Sequence, residues 1–297
     1  MLSEESLCNQ QINAIIVDQS QFDERFVYYL MTTQRDRLRS MASGSATPIL
    51  NKTAFSALEV TVPPLPEQRA IAEVLGALDD KIEANRQVAD LINELVLAEV
   101  EDVQARWISE VTLGDILERV NEVVQPDAMG EDVSYVALEH IPRGSIFLDS
   151  WGSAGAVASA KAQFLPEDIL FGKLRPYFKK VVTSPCVGVC STDVLVLRSR
   201  QPEYRGLALG VCASDELIAY ATAGSDGTRM PRVSWDYLSK WTVKLPSEDD
   251  LHGLQSRLDP MLSLGVNLSF ESQALAQLRD ILLPKLLSGE LRVRDVA

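Results

Sequence analysis

The chain is poor in the residues that hydrolytic and metal centres need. It has two histidines, His140 and His252, and four cysteines, Cys8, Cys186, Cys190 and Cys212. The Cys186-x-x-x-Cys190 spacing has no second cysteine pair and no histidine close in sequence to complete a zinc set. Four reduced thiols, of the buried kind, and no metal are the expectation. The phosphate-cradling G-x-x-x-x-G-K-[ST] loop is missing, since Gly172-Lys173 is followed by Leu174, and so is any G-x-G-x-x-G after a strand. A Ser/His/Asp cluster is missing too. Asp79-Asp80-Lys81 has the look of a nuclease D-x-K, but on a helix side chains two apart diverge, so a solvated face is the reading. These gaps argue against an enzyme and against a bound cofactor. No apolar run approaches the ~20 residues that span a bilayer. The opening Met1-Leu2-Ser3-Glu4-Glu5-Ser6 lacks the basic region of a signal peptide, so a cytoplasmic location away from membranes is expected.

Positive charge is also scarce: 28 Lys and Arg face 42 Asp and Glu, for a net charge of −14. Taken as a sum, this opposes binding to a polyanion. Its distribution is uneven, however. Acids crowd one helical stretch, from Glu67 and Glu73 to Glu99 and Asp102. Bases gather at Lys173, Arg175, Lys179 and Lys180, then at Arg229 and Arg232. A groove can be locally positive on an acidic protein, although a solvated face is the plainer reading of any one cluster.

What the chain does have is a repeat. An ungapped offset of 180 brings Gly44-Ser45 onto Gly224-Ser225, Phe55 onto Trp235, Leu58 onto Leu238 and Leu65-Pro66 onto Leu245-Pro246. Arg25 falls on Arg205, and Ala14–Val17 falls on Val194–Leu197. Solenoid units repeat every 20–50 residues or so, so this period signals a duplicated module. The length suits about two domains.

The pattern predicts mixed α and β structure in 1–62: a buried strand over Ile12–Val17, a helix over Phe22–Ser40, and a loop marked by Gly44, Ser45 and Pro48. A long helix then opens at Pro66, with Glu67 favouring its positive end. Its apolar residues Ile71, Leu75, Leu78, Ile82, Ala89, Ile92 and Val96 are spaced 4-3-4, with Asn85 in the one polar slot, a heptad seam. Residues 66–101 would make a rod of roughly 54 Å. Val74, Val88, Leu91 and Leu95 add a second row, which implies more than one partner surface. Residues 107–245 read as a complete α/β module: a strand and a short helix over 107–120, strands at 133–138 and 145–148, a turn feeding a strand over 164–171, further sheet at Val181, Val182 and 187–197, and a helix over 204–221. A second long helix is expected over 246–287, carried by leucines that include Leu275, Leu278, Leu282 and Leu286. A break is expected near Gly253, Pro260 and Gly265.

The run Pro63-Pro64-Leu65-Pro66-Glu67-Gln68-Arg69-Ala70-Ile71-Ala72, followed by Leu75, Leu78-Asp79 and Lys81-Ile82, resembles the central region of type I restriction–modification specificity subunits. Leu283-Pro284-Lys285-Leu286-Leu287-Ser288-Gly289-Glu290-Leu291 is similar to that family's C-terminal end. Pro166-Glu167-Asp168-Ile169-Leu170 resembles its Pro-Gly-Asp-Ile-Leu strand, with Glu167 in place of the glycine, and Cys190-Ser191-Thr192-Asp193 resembles a strand entry of its domains.

The resemblance implies an α+β fold in which target-recognition domains are separated by two long antiparallel, coiled-coil-like helices. It implies four segments: 1–62, the back half of a first recognition domain; 63–105, the first helix; 106–245, a complete second domain; and 246–297, the second helix and tail. The full module starts near residue 107, and 180 residues earlier is position −73, so the first domain is expected to be N-terminally truncated and unable to read its half-site. The implied function is non-catalytic recognition of one half of a bipartite double-stranded DNA site. Lys173, Arg175, Tyr177, Lys179, Lys180, Ser191, Thr192, Arg229 and Arg232 are the expected DNA contacts. Glu67, Gln68, Ile71, Leu75, Leu78, Ile82, Leu275, Leu278, Leu282 and Leu286 are the expected docking residues for two methyltransferase (modification) subunits. S-adenosylmethionine and ATP would belong to partner subunits, and the restriction/translocase subunit would join through the complex. A scaffold that reads no DNA, a homodimerising half-subunit and an inactive remnant are the alternatives.

Overall fold

The computed structural model describes residues 8–9, 12–42, 49–128, 130, 132–227 and 229–293. The expected Gly44, Ser45 and Pro48 loop lies outside them. Contacts divide the chain into two compact units. Unit 1 comprises Met1–Ile82 with Leu275–Ala297, and unit 2 comprises Glu83–Ala274.

Unit 1 holds α1 (Glu24–Thr33), α2 (Arg35–Met41) and α3 (Lys52–Ser56), together with the first part of α4 (Leu65–Ala105) and the last part of a second 41-residue helix. Asp23 caps α1 by accepting the Phe26 N–H, and Asn51 caps α3 by accepting the Ala54 N–H. The single helix expected over Phe22–Ser40 is two, because the chain breaks at Gln34 (ψ 6°). Phe26, Tyr29 and Leu30 are buried against Ile71, Ala72, Leu75 and Leu286. The buried strand expected over Ile12–Val17 does not form. The segment pairs with no strand, and Ile16 is 97% exposed. Its counterpart 180 residues on is hydrogen-bonded along both edges, and the described part of residues 8–62 supplies no such neighbours.

Unit 2 is the mixed α/β module. In chain order its elements are β1 (Ser109–Thr112), α5 (Leu113–Ile116), β2 (Leu117–Arg119), β3 (Val123–Val124), β4 (Ser134–Val136), β5 (Gly152–Ser153), β6 (Lys161–Phe164), β7 (Ile169–Gly172), β8 (Val181–Thr183), β9 (Gly188–Cys190), β10 (Val194–Ser199), α6 (Arg205–Cys212), α7 (Asp215–Ala223), α8 (Trp235–Leu238) and β11 (Thr242–Leu245), followed by α9 (Glu248–Ser288). A four-stranded sheet runs β2-β10-β7-β8 and a five-stranded one β3-β6-β9-β4-β5, while β1 pairs with β11. All of these pairs are antiparallel except β4 with β9. The strand expected at 145–148 is an irregular segment, although Ile146, Phe147 and Leu148 are buried as a strand's apolar residues would be. The helix expected over 204–221 is split into α6 and α7 by Ser214, whose hydroxyl caps α7.

The expected break in α9 is absent, and the helix runs unbroken through Gly253, Pro260 and Gly265. A proline inside a helix costs ~3 kcal/mol and a glycine ~1. Burial of Leu251, Leu254, Leu258 and Leu262 in the core of unit 2 offsets these costs, at ~1.5–3 kcal/mol each. Gly265 has a packing reason as well: a Cβ there would sit 2.2 Å from the Phe147 ring.

Inside unit 2, α4 and α9 run antiparallel. Asn85 bonds to Glu271 and Ser272, and Arg257 bonds to Glu99, so fourteen residues forward on one helix match fourteen back on the other. Asn85, the one polar slot of the heptad, is buried at 2% exposure and donates to both α9 partners. A satisfied polar residue in an apolar seam favours one register, since a slip would leave it unpaired. In unit 1, Arg279 of α9 pairs with Asp79 of α4.

The offset of 180 survives folding. Helices α1 and α2 correspond to α6 and α7. Arg25 pairs with Asp80, and its counterpart Arg205 pairs with Asp259, the counterpart of Asp79. The φ of 72° at Glu167 is left-handed, a conformation that glycine adopts most readily. Here the glutamate is retained in an ion pair with Arg205.

Candidate nucleic-acid interface

The basic cluster lies on the connection between β7 and β8. The antiparallel pairing of these strands turns Lys173–Lys180 into a hairpin that contains one 3-10 turn, Pro176–Phe178. Arg175 (φ 51°) and Lys179 (φ 50°), on either side of that turn, are both left-handed. Such a conformation costs a non-glycine residue ~1 kcal/mol or more and persists only where the surroundings impose it. Here the Phe178 N–H donates to the Arg175 carbonyl and the Lys179 N–H to that of Pro176. The Gly144 N–H donates to the Lys179 carbonyl from a neighbouring loop.

A second loop, between α7 and α8, is clamped to the first. Asp226 and Arg232 exchange both backbone hydrogen bonds, at 3.0 and 2.9 Å, and Gly227 turns the chain at φ 100°. The Arg175 N–H donates to the Pro231 carbonyl at 2.8 Å, and the Val233 N–H to that of Lys173 at 3.1 Å. The turn Ser191–Asp193 joins them: the Lys173 N–H donates to the Asp193 carbonyl, and the Arg232 guanidinium pairs with the Asp193 carboxylate at 2.8 Å. Nearly all the sequence-expected DNA contacts thus fall in one patch, although Lys173 and Arg229 are 56 residues apart (229 − 173).

They are not equivalent within it. Arg229 and Thr192 are exposed, Arg232 is exposed but engaged by Asp193, and Tyr177 is 50% exposed. Lys173, Arg175 and Ser191 are half-buried. Two of the expected contacts need correcting as free cations. Lys179 is held by Asp215 at 2.6 Å, at the start of α7, and Lys180 points inward to donate to the Leu138 carbonyl. Burial, then the nearby Arg143, lowers the Lys180 pKa from the ordinary lysine value. Among the described residues, no carboxylate ion-pairs with Lys173, Arg175, Arg229 or Arg143.

Sequence reasoning missed Arg143 and Met230. Arg143 is exposed and lies 3.9 Å over the Phe178 ring. Its place in the patch follows from the Gly144–Lys179 bond, a contact across 35 residues that no local pattern announces. Met230 sits between two cations already in view and is 48% exposed. His140 accepts the Ala137 N–H at Nδ1, and burial lowers its pKa, so it is neutral at pH 7 and adds no charge here.

The expected docking residues divide by burial. Gln68, Ile71, Leu75 and Leu286 are buried inside unit 1, Gln68 bonding to Asp23, Gln21 and Pro63, so their side chains are not available at its surface. Leu78, Ile82, Leu275 and Leu282 are half-buried, and only Glu67 and Leu278 are exposed. The exposed apolar positions of α4 are instead Val88, Leu91 and Leu95, three of the four that the sequence set apart as a second row.

No group of three His, Cys, Asp or Glu side chains is placed to hold a metal among the described residues, and none of the described helices is long and apolar enough to cross a membrane. All four thiols are free, and burial pushes Cys190 and Cys212 up to about 12. The thiolate is the reactive form. Native protein treated with iodoacetamide at pH 8 is therefore expected to be alkylated at the exposed Cys8, and at Cys190 and Cys212 only after denaturant is added. Peptide mass spectrometry reads this, and early labelling of Cys212 would contradict its burial.

The fold is an α+β module with two long helices and a loop-built basic patch. Residues 1–94 match the family described as the type I restriction modification DNA specificity domain. The chain is 23% identical over 302 residues to the type I restriction enzyme MjaIX specificity subunit of Methanocaldococcus jannaschii, covering 91% of this chain and 70% of that protein. It is 20% identical over 320 residues to the EcoDI specificity subunit of Escherichia coli, covering 90% and 70%. Among solved structures it is similar to the S subunit of a type I restriction–modification system from M. genitalium. That likeness has a TM-score of 0.50 and 18% identity, and covers 91% of this chain and 74% of that one. Over nine-tenths of its length the chain is thus similar to specificity subunits of type I restriction–modification systems.

Proposed function

We propose that this chain is the non-catalytic DNA-reading subunit of a type I restriction–modification complex, and that unit 2 reads one half of a bipartite double-stranded site. The observation that carries the reading is the clamped pair of loops, which presents Lys173, Arg175, Arg229 and Arg143 with no carboxylate ion-paired to them among the described residues. On a chain of net charge −14, an unneutralised basic patch is where phosphates would be held. Two methyltransferase subunits would dock on the long helices. The exposed apolar residues Val88, Leu91 and Leu95 of α4, and Leu278 and Ile281 of α9, support this. S-adenosylmethionine and ATP would be held by partners, and the restriction subunit would join through the complex.

Each cation that neutralises a phosphate contributes about 0.9 to the slope of log K against log salt. Fluorescence anisotropy on duplex DNA at several salt concentrations tests the patch. Arg229→Ala is expected to reduce the slope by about 0.9, whereas Lys180→Ala, whose ammonium points inward, leaves it unchanged. An unchanged slope in Arg229→Ala would make the patch a solvated face. A second reading, pairing of two copies, is favoured by the exposed Ile12, Ile15 and Ile16 of unit 1. Sedimentation velocity separates the two readings, since a monomer across the micromolar range removes the second.

A further inference from the structure

We propose that Met230 is a base-contacting residue, which the loop between α7 and α8 lays against the thymine methyl group of one base pair. The proposal rests on the reading of this patch as a DNA surface and names a specificity-determining side chain within it.

Met230 is an apolar side chain, 48% exposed, in a cationic setting: Arg229 precedes it and Arg232 follows two residues on. An exposed methionine needs no explanation by itself. The way this one is held is what distinguishes it. The Arg175 backbone N–H donates to the Pro231 carbonyl at 2.8 Å, and the Arg175 guanidinium donates to the Arg229 carbonyl at 3.4 Å. One residue, itself left-handed, therefore holds the peptide just before Met230 and the peptide after Pro231. The loop is closed at its base by the double hydrogen bond between Asp226 and Arg232, and its backbone packs on Gly227, where a Cβ would lie 3.3 Å from the Met230 carbonyl oxygen. A side chain held in this way loses little backbone freedom on binding, which is the advantage of a preorganised contact.

The chemistry of the neighbours assigns the role. Lys173, Arg175, Arg229, Arg143 and Thr192 offer charge and hydrogen bonds, which serve phosphates and polar base edges. The four cations have no group suited to the methyl that sets thymine apart in the major groove, and Thr192 has a single methyl, so the large apolar side chain of Met230 is the fuller partner for it. The internal repeat adds an independent observation. The counterpart of Met230 is Leu50, also apolar, whereas the counterpart of Arg229 is Ile49. The contacts that hold the two loops differ: the Asn13 side-chain amide donates to the Leu50 carbonyl at 3.0 Å, whereas its counterpart Asp193 accepts from the Arg232 guanidinium, two residues past Met230. Both copies place an apolar residue at this position while the residue beside it changes.

Selection of the full chain against a library of random duplexes tests this. Wild type is expected to enrich a motif; if it enriches none, the DNA reading fails and the proposal with it. Given a motif, Met230→Ala and Met230→Gln are selected in parallel. Each should lose preference at one thymine-containing pair by about fourfold, the factor for burying one methyl group, and keep the rest of the motif. Deoxyuridine in place of that thymidine should weaken wild type by the same factor and leave Met230→Ala unaffected. Retention of the same motif with the same ratios by Met230→Ala overturns the proposal, as does a loss of affinity that is uniform across sequences.

Discussion

Asp168→Ala is expected to destabilise unit 2 by about 3 kcal/mol, the scale of removing one partner from a buried ion pair. The Asp168 side chain is 2% exposed and fully engaged: it accepts two hydrogen bonds from Arg198 and one from the Leu165 N–H, all at 2.8 Å. Alanine leaves a guanidinium facing a void and a backbone donor without an acceptor. Arg198 is 30% exposed on its side chain, so water recovers part of the loss, which holds the figure near the lower end of the range of about 3–5 kcal/mol. All four tryptophans, Trp107, Trp151, Trp235 and Trp241, fall within unit 2, so urea unfolding followed by their fluorescence reports on it selectively. Removing both charges, as in Asp168→Ala with Arg198→Met, should recover more than half of the stability, since the cost lies mainly in the orphaned charge. A double variant no more stable than the single would mean that the turn, rather than the pair, is what Asp168 supports.

Gly188→Ala is expected to cost about as much, about 3 kcal/mol, at the upper end of what overpacking costs. The sign runs against intuition, because alanine ordinarily improves on glycine in a strand by ~0.5–1 kcal/mol. Gly188 does not have a left-handed φ, so backbone conformation would tolerate the change. Space does not. A Cβ would lie 2.5 Å from the ring of Phe164 and 2.6 Å from the Ser134 carbonyl oxygen. Phe164 is fully buried, and Ser134 is fixed in β4, which pairs with β9 at Gly188 itself. Phe164→Leu could free one of these contacts but not the backbone one. The double variant should therefore recover only part of the loss in the same fluorescence assay. Full recovery would show that the ring alone was limiting.

Local order was legible in the sequence wherever it depends on spacing. The 4-3-4 heptad announced α4, and Asn85 was marked as its polar slot before its partners on α9 were known. The offset of 180 announced the correspondence of α1 and α2 with α6 and α7, since equivalent residues meet equivalent local forces. Where the reading failed, a tertiary partner or its absence had overruled local preference. Ala14–Val17 has a strand's composition but no neighbours to bond. Ile146–Leu148 has a strand's burial but an irregular backbone. Gly253, Pro260 and Gly265 should break a helix, and burial of four leucines holds α9 intact.

The candidate site divides along the same line. That Lys173, Arg175, Arg229 and Arg232 are basic was plain, and charge counting grouped them as two clusters. Which of the cations stay available was decided by residues far along the chain: Asp215 engages Lys179, the Leu138 carbonyl turns Lys180 inward, and Asp193 takes Arg232. Arg143 and Met230 enter the patch through backbone hydrogen bonds from loops that share no pattern. Sequence alone determined the helices, the duplication, the family likeness and the supply of charge, because each is written in residue types at fixed intervals. Only the tertiary structure decided which of those charges face outward and what stands among them, because a hydrogen bond between loops depends on distance in space, and no interval along the chain encodes it.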